Sequence, residues 1–441
     1  MRMPWRRVLS PQDILDAFEN TPIEEAWAFR GCTPSDTGKW THDYHRYPAK
    51  FIPQLVERLL DEYITMPTAH INDPFMGCGT TIVTAIARGF HASGTDINRV
   101  AHLITQVKAT PIEPNYLAQR VEHLFRLVDK FESSPYTAHI EPRVPKRHLE
   151  RIRYWFTEAA IRDLGILLNF IHREQDTVVR NFFLVAFSHI LKRCSLWLQA
   201  STKPTRDLHK QPVAPFHAFR QHVKKMQQGN AAFYSIVPPR VRAEIDAYLN
   251  IRVGDARQQV VPDASVDLIV SSSPYVTSYA YADLHQLSTL WLDLTDDLRA
   301  YRKEFIGTAS ADRPRVLKST LAQKIVAQLV TRSRAMAQEV ETFFADMQEV
   351  FDESFRILKP GGRCCYVIGN TQLKGVDILN AQVFAESLQH SGFRLDRIIK
   401  REIPSKILPQ KRDKKTGRFA KNQTADAEAY PVEYIVIGLK E

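Results

Sequence analysis

Long apolar runs are missing from this 441-residue chain; no stretch approaches the roughly 20 residues that a membrane span needs. The start is basic, but acidic residues begin at Asp13 before any apolar leader core has formed, so the pattern of a secretory signal is absent. Cysteine is scarce. The five cysteines, at 32, 78, 194, 364 and 365, show no CxxC and no Cys/His spacing of a zinc site. Free thiols in a reducing cytoplasm, with no bound metal, are the simplest reading. Internal repeats and low-complexity tracts are also lacking. What is present is apolar and aromatic mass, 44% and 10%, enough to bury a sizeable core and to exclude wholesale disorder.

Charge is unevenly spread. The whole chain carries a net +10, with an isoelectric point near 9.3. Segment 141–228 has 16 Lys/Arg against 7 Asp/Glu, and 400–421 has 9 against 2, which leaves the other 331 residues at a net −6. A mildly acidic body thus carries two basic attachments, as suits a polyanionic partner. Solvated helix faces around an apolar core would give the same count in the first segment.

The element pattern is α/β with an interruption. Ser10-Pro11 caps a first helix, and a second starts near Ile52 or Pro53. Strands are expected at His70–Asp73 and His91–Asp96, with helices at Thr81–Arg88 and Val100–Lys108 between and after them. From 114 to 250 the chain reads almost entirely as helix. Strands return at Ile251–Asp255 and Val266–Val270, then at Cys364–Gly369, Arg394–Ile403 and Glu433–Gly438, with helices at Thr342–Ile357 and Ala381–His390. This predicts a parallel-sheet domain in two parts, 1–109 and 251–441, interrupted by a helical insertion at 110–250.

Three strand ends carry chemistry. Asp73-Pro74-Phe75-Met76-Gly77-Cys78-Gly79-Thr80-Thr81 places two glycines where a backbone can approach a ligand, ahead of a helix N-terminus with free N–H groups. It has neither the G-x-G-x-x-G spacing of dinucleotide folds nor a P-loop lysine, which argues against NAD and ATP. Asp96 closes the next strand, where a carboxylate either accepts ribose hydroxyls or caps the helix of GTDINRVA. Asp255 ends Ile251-Arg252-Val253-Gly254 and either receives an adenine amino group or caps a turn. Ser271-Ser272-Ser273-Pro274-Tyr275 follows an apolar strand and is either a ligand-gripping strand end or a plain turn.

Taken in order, DPFMGCGTT, GTDIN, VGDA and SSSPY resemble the S-adenosylmethionine-dependent amino-methyltransferases of DNA, the N4-cytosine and N6-adenine enzymes of restriction–modification systems. HRYPAKF, 45–51, resembles their segment on the cofactor side, and Leu358-Lys359-Pro360-Gly361-Gly362 is a common methyltransferase element. The resemblance spans roughly 45–108 and 251–440. It implies a class I, Rossmann-like methyltransferase sheet with a large helical insertion. It also implies S-adenosyl-L-methionine bound by Phe51, Asp73, Phe75, Gly77, Gly79, Thr80, Thr81, Asp96 and Asp255, and a catalytic tetrad of Ser272, Ser273, Pro274 and Tyr275. The partners implied are double-stranded DNA and a cognate restriction endonuclease, the place of action the cytoplasm at the nucleoid.

The tetrad departs from the usual Pro-Pro-Tyr ending, because Ser273 holds its second position. That position acts through its backbone carbonyl, which serine retains while losing the fixed φ of proline. A serine at the first position, Ser272, is more typical of N4-cytosine enzymes, which makes cytosine N4 the expected target. Adenine N6, an RNA base, and a catalytically weak DNA-binding homologue stay open. The resemblance implies direct methyl transfer to a flipped base, with Tyr275 stacking on it. The Pro-Cys nucleophile of C5-cytosine enzymes is absent. DNA contacts are expected from Arg147, Arg151 and Arg153 in the insertion. Lys411, Arg412, Lys414, Lys415 and Arg418, in the basic loop between the last two strands, are expected to touch phosphates.

Overall fold

The computed structural model describes residues 8–47, 50–134, 140–201, 203–276, 281–306, 316–403, 411–412, 427–428 and 432–441. Seven strands form one sheet: β1 His70–Asp73, β2 His91–Asp96, β3 Leu249–Val253, β4 Val266–Ser272, β5 Leu358–Ile368, β6 Arg394–Glu402 and β7 Val432–Leu439. Their spatial order is β3-β2-β1-β4-β5-β7-β6. The strands from β3 to β5 run parallel, and β7 runs antiparallel to both β5 and β6. Strand order therefore reverses between β1 and β4. In a sheet of this kind the crevice beyond the carboxyl ends at that reversal is where ligands bind.

Both sheet faces are covered, and the strands show it in their alternation. Cys365 and Val367 of β5, with Ile435 and Ile437 of β7, face helices α2 Pro53–Tyr63 and α3 Thr80–Ala87. Cys364, Tyr366 and Ile368, with Tyr434 and Val436, face the opposite layer. That layer contains α1 Pro11–Asn20, whose N-terminus is closed by a reciprocal Ser10–Asp13 cap.

After β2 the chain forms α4 Arg99–Ala109, then leaves the sheet until β3. The intervening helices include α5 Pro114–Ser133, α6 Leu149–Trp155, α7 Glu158–His172, α8 Thr177–Cys194 and α9 Pro215–Ile236. Their core is continuous with Val100, Ile104 and Val107 of α4 and with Leu287, Leu290 and Trp291 of α10 Gln286–Trp291. The chain then continues through α11 Leu298–Lys303, α12 Arg334–Ile357 and α13 Asn380–His390.

Three boundaries differ from the sequence expectation. β5 begins at Leu358 rather than Cys364. The Leu-Lys-Pro-Gly-Gly segment is drawn into the sheet by Leu358 pairing with Val266 and by backbone bonds between Gly361, Gly362 and Lys440. α12 begins at Arg334, eight residues before Thr342, because the Ser333 hydroxyl accepts from Met336 N and caps it. β3 ends at Val253, so Asp255 lies two residues beyond the strand. Of the basic loop, Lys411–Arg412 pair antiparallel with Ala427–Glu428 as short backbone ladders, while Lys414, Lys415 and Arg418 lie outside the described residues.

Candidate active site

The cleft opens where β1, β2 and β4 end. It is lined by Phe51, Asp73, Phe75, Gly77, Thr80, Asp96, Asp255, Ser272 and Pro274, all expected from the sequence. Tyr47, Lys50, Ile97 and the run Glu304-Phe305-Ile306 complete the wall. Gly79 and Thr81 lie behind it. Gly79 has φ +79°, and a β-carbon there would fall 2.7 Å from the Thr105 side chain, so only glycine fits the turn.

Two side-chain bonds fix the glycine loop against strand β4. The Ser271 hydroxyl donates to Asp73 Oδ1 at 2.7 Å, and the Thr81 hydroxyl donates to the Val270 carbonyl at 3.0 Å. α4 holds the loop from the other side. Thr105 donates to the Gly77 carbonyl at 2.9 Å, and the fully buried Lys108 ammonium donates to the Cys78 carbonyl at 2.9 Å. Burial lowers the Lys108 pKa to about 8.

The acidic groups are similarly enclosed. Burial raises the Asp73 carboxyl to about 7, against bonds from Ser271 and from Phe75 N that favour its charge. Burial raises Asp96 to about 6, although it accepts from Asn98 N and Gly77 N, each at 2.8 Å. Asp96 thus both steadies the glycine loop and presents a carboxylate edge to the cleft. Asp255 also lines the cleft while accepting from Arg257, which bonds Asp346 in turn.

Sequence reasoning missed the wall at 304–306. α11 brings it there through Tyr301, which accepts from Arg99 N at 3.0 Å and donates to Asn98 Oδ1 at 3.2 Å, just past β2. No sequence signal near Tyr301 marks this pairing across some 200 residues.

Within the tetrad, Ser272 and Pro274 line the cleft, whereas Ser273 and Tyr275 do not. The Ser273 hydroxyl is buried without a hydrogen-bond partner among the described residues. The Tyr275 ring packs beside Gly369, and its hydroxyl lies 3.4 Å from Glu433 Oε2. Nearby Asp283 pairs with Arg302, and the buried His285 ring stacks on Tyr47 with centroids 4.8 Å apart.

Helix α10 joins the tetrad region to the insertion. Gln286 Oε1 accepts from both Arg151 and Trp155 at 3.2 Å. His45 Nε2 is 2.9 Å from the Ser188 hydroxyl of α8, which is 2.7 Å from the Ser288 hydroxyl. His222 of α9 lies 2.7 Å from the Tyr44 carbonyl and stacks on His189 at 3.7 Å. Among the described residues, no group of His, Cys, Asp or Glu is arranged to hold a metal ion.

The arginines expected to meet DNA are differently engaged. Arg147 pairs with Asp293 and Asp296, and Arg153 with Glu158. Arg151, besides bonding Gln286, lies over the Tyr154 and Trp155 rings.

A seven-stranded sheet with one antiparallel strand and a glycine loop facing a strand-end carboxylate together define a Rossmann-like domain of the methyltransferase class. A family model described as DNA methylase matches residues 8–107. The chain is 25% identical to the type II methyltransferase M.MvaI of Kocuria varians, over 94% of this chain and 96% of that one. It is 21% identical to the type II methyltransferase M.BsoBI of Geobacillus stearothermophilus, over 78% and 77%. Among solved structures, a SAM-dependent methyltransferase of Methanosarcina mazei aligns over 90% of this chain and 100% of that one, at 10% identity and a TM-score of 0.30. The chain is thus similar to a DNA methylase family over residues 8–107 and to type II methyltransferases over most of its length.

Proposed function

We propose that this protein methylates the exocyclic amine of a base in double-stranded DNA, cytosine N4 in particular, with S-adenosyl-L-methionine as donor. The observation that carries this reading is the meeting of Asp96 and Ser272 in one cleft, on strands that the Asp73–Ser271 bond holds together. The residues suit that donor. Asp96 and Asp255 offer acceptors to ribose hydroxyls and an adenine amine, and Phe51, Phe75 and Ile97 provide apolar walls. The tight fit of Gly77, where a β-carbon would come 3.2 Å from the Tyr47 ring, leaves the loop backbone next to the ligand space. The bound cofactor would supply a methyl group activated on a positively charged sulfur.

The protein's part is positioning. An exocyclic amine is a weak nucleophile because its lone pair is shared with the ring. The Ser272 hydroxyl and the Ser273 backbone carbonyl accept from its N–H groups and favour a pyramidal nitrogen aimed at the methyl. Tyr275 stacks on the flipped base once its ring has turned from Gly369 toward the cleft. Cytosine is favoured over adenine by the serine at position 272. The protein would act on nucleoid DNA in the cytoplasm, beside a nuclease with the same target sequence.

The test is mass spectrometry of nucleosides from the DNA of an expressing strain that lacks its own amino-methylation. N4-methylcytosine is expected. N6-methyladenine alone would reject the base, and neither product would reject the activity.

A further inference from the structure

A second cavity, of about 600 Å³, is lined by Arg46, next in sequence to Tyr47 of the first cleft. Its other walls come from α8 and α9 and from the 195–214 connection between those helices. His189 and Arg193 face it from one side of α8, one helical turn apart. Gln221 and Lys225 face it from α9 with the same spacing.

Part of the charge on the insertion is already paired: Arg147, Arg153, Arg162 and Arg220 meet carboxylates, and so does Lys225 on the cavity wall, through Asp43. Arg46 and Arg193, by contrast, have no carboxylate and no side-chain hydrogen bond among the described residues, though both line the cavity. Lys210 adds a third cation, which among the described residues bonds the carbonyls of Lys192 and Trp197. The side-chain amides of Gln199, Gln211 and Gln221 also lack partners among the described residues and line the same space. His189 also lines the cavity, and its Nδ1 is buried with no hydrogen-bond partner among the described residues.

Cations without counter-charges answer a polyanion. Free carboxamides beside them answer base edges, because glutamine presents the donor and acceptor pair that matches N6 and N7 of adenine in the major groove. The location fits a duplex whose extruded base enters the catalytic cleft. Arg46 lies between His45, which is bonded to α8, and Tyr47, which lines that cleft.

We propose that this cavity is the groove that reads duplex DNA: Arg46, Arg193 and Lys210 grip phosphates, and Gln199, Gln211 and Gln221 read bases. The proposal rests on the methyltransferase reading for its purpose, but duplex binding can be measured without the cofactor. It places recognition on the α8–α9 face rather than at Arg147, Arg151 and Arg153.

The test compares the full-length protein with the double variant Arg46→Gln/Arg193→Gln and with a control, Arg147→Gln/Arg153→Gln. Fluorescence anisotropy with a random-sequence 30-base-pair duplex, from 50 to 200 mM salt and without cofactor, gives affinity and salt slope. Calorimetry with S-adenosyl-L-methionine gives cofactor binding and confirms folding. The cleft variant should lose roughly tenfold or more in duplex affinity and about two from the salt slope, because each phosphate contact contributes about one. Its cofactor binding should match the native protein, and the control should lose less than about twofold. Native-like duplex binding by the cleft variant, an equal loss in the control, or tighter binding of single-stranded RNA than of duplex would overturn the proposal. Failure of the native protein to bind cofactor, with duplex binding intact, would instead overturn the methyltransferase reading.

Methylation-aware sequencing of DNA from strains expressing Gln221→Ala or Gln199→Ala separates reading from gripping. A relaxed target at one base position supports base reading. An unchanged target with uniformly lower methylation would refute it.

Discussion

Asp96 sits where a charge is unfavourable, and the ribose contact proposed for it depends on that charge. Burial holds its pKa near 6, and only the ionised form can accept from both hydroxyls of a ribose. Cofactor affinity should therefore weaken as pH falls through 6, approaching about tenfold per unit below it. Asp96→Asn should bind weakly with a flat profile. Calorimetric titrations between pH 5 and 8 check both; a flat native profile would remove Asp96 from the cofactor contacts. The sign reverses for the ligand-free fold. Asp73 and Asp96 both have raised pKa values, so their neutral forms favour folding below the ordinary carboxylate pKa near 4. That stability is lost as pH rises through 6 and 7. The melting temperature of the free protein should thus decline across that window, and the increase given by the cofactor should grow.

Helix α9 shows how one residue fixes the docking of an element. Gly229 lies in mid-helix, where glycine costs about 1 kcal/mol relative to alanine. A β-carbon there would fall 2.3 Å from the Trp40 carbonyl oxygen, so the helix is pressed against the chain leading to the cofactor cleft. Gly229→Ala should cost about 1–3 kcal/mol through overpacking despite its better helix propensity. Thermal denaturation should show a lower midpoint, and a raised one would refute the close approach. The next residue, Asn230, ties the helix to the α4–α5 connection by bonding both N and O of Ile112.

The elements were legible where local chemistry decided them. The strand ends at Asp73 and Asp96, the Ser10 cap and the helical insertion follow from periodicity, glycine placement and capping. The Asp73–Ser271 bond, the wall at 304–306 and the side-chain ties of Gln286 and His45 were not legible. Each joins residues remote in sequence, and nothing in a serine or a tyrosine reports its partner. The pairing of Arg147 with Asp293 and Asp296, and of Arg153 with Glu158, was not legible for a related reason: composition counts charges but does not show their partners.

At the scale of the whole molecule, the insertion is not a separate body. Its aromatic core runs without a break into α4 and α10, which belong to the catalytic half. Heating should therefore produce one calorimetric transition with equal calorimetric and van't Hoff enthalpies. Two resolved transitions would show that the insertion unfolds alone. With a single transition, the mildly acidic body and the basic insertion, distinguishable by charge in the sequence, behave as one cooperative unit.

The chain from His45 through Ser188 to Ser288, with the Gln286 bonds to Arg151 and Trp155, also limits how such a protein can diversify. A foreign insertion grafted between α4 and β3 would arrive without these partners and leave buried polar groups of the recipient unpaired. Recombination of whole recognition units is thus disfavoured in this architecture. If the α8–α9 cavity reads DNA as proposed, new target sequences would be reached instead by point changes on the side chains that face it, which leave the seam untouched.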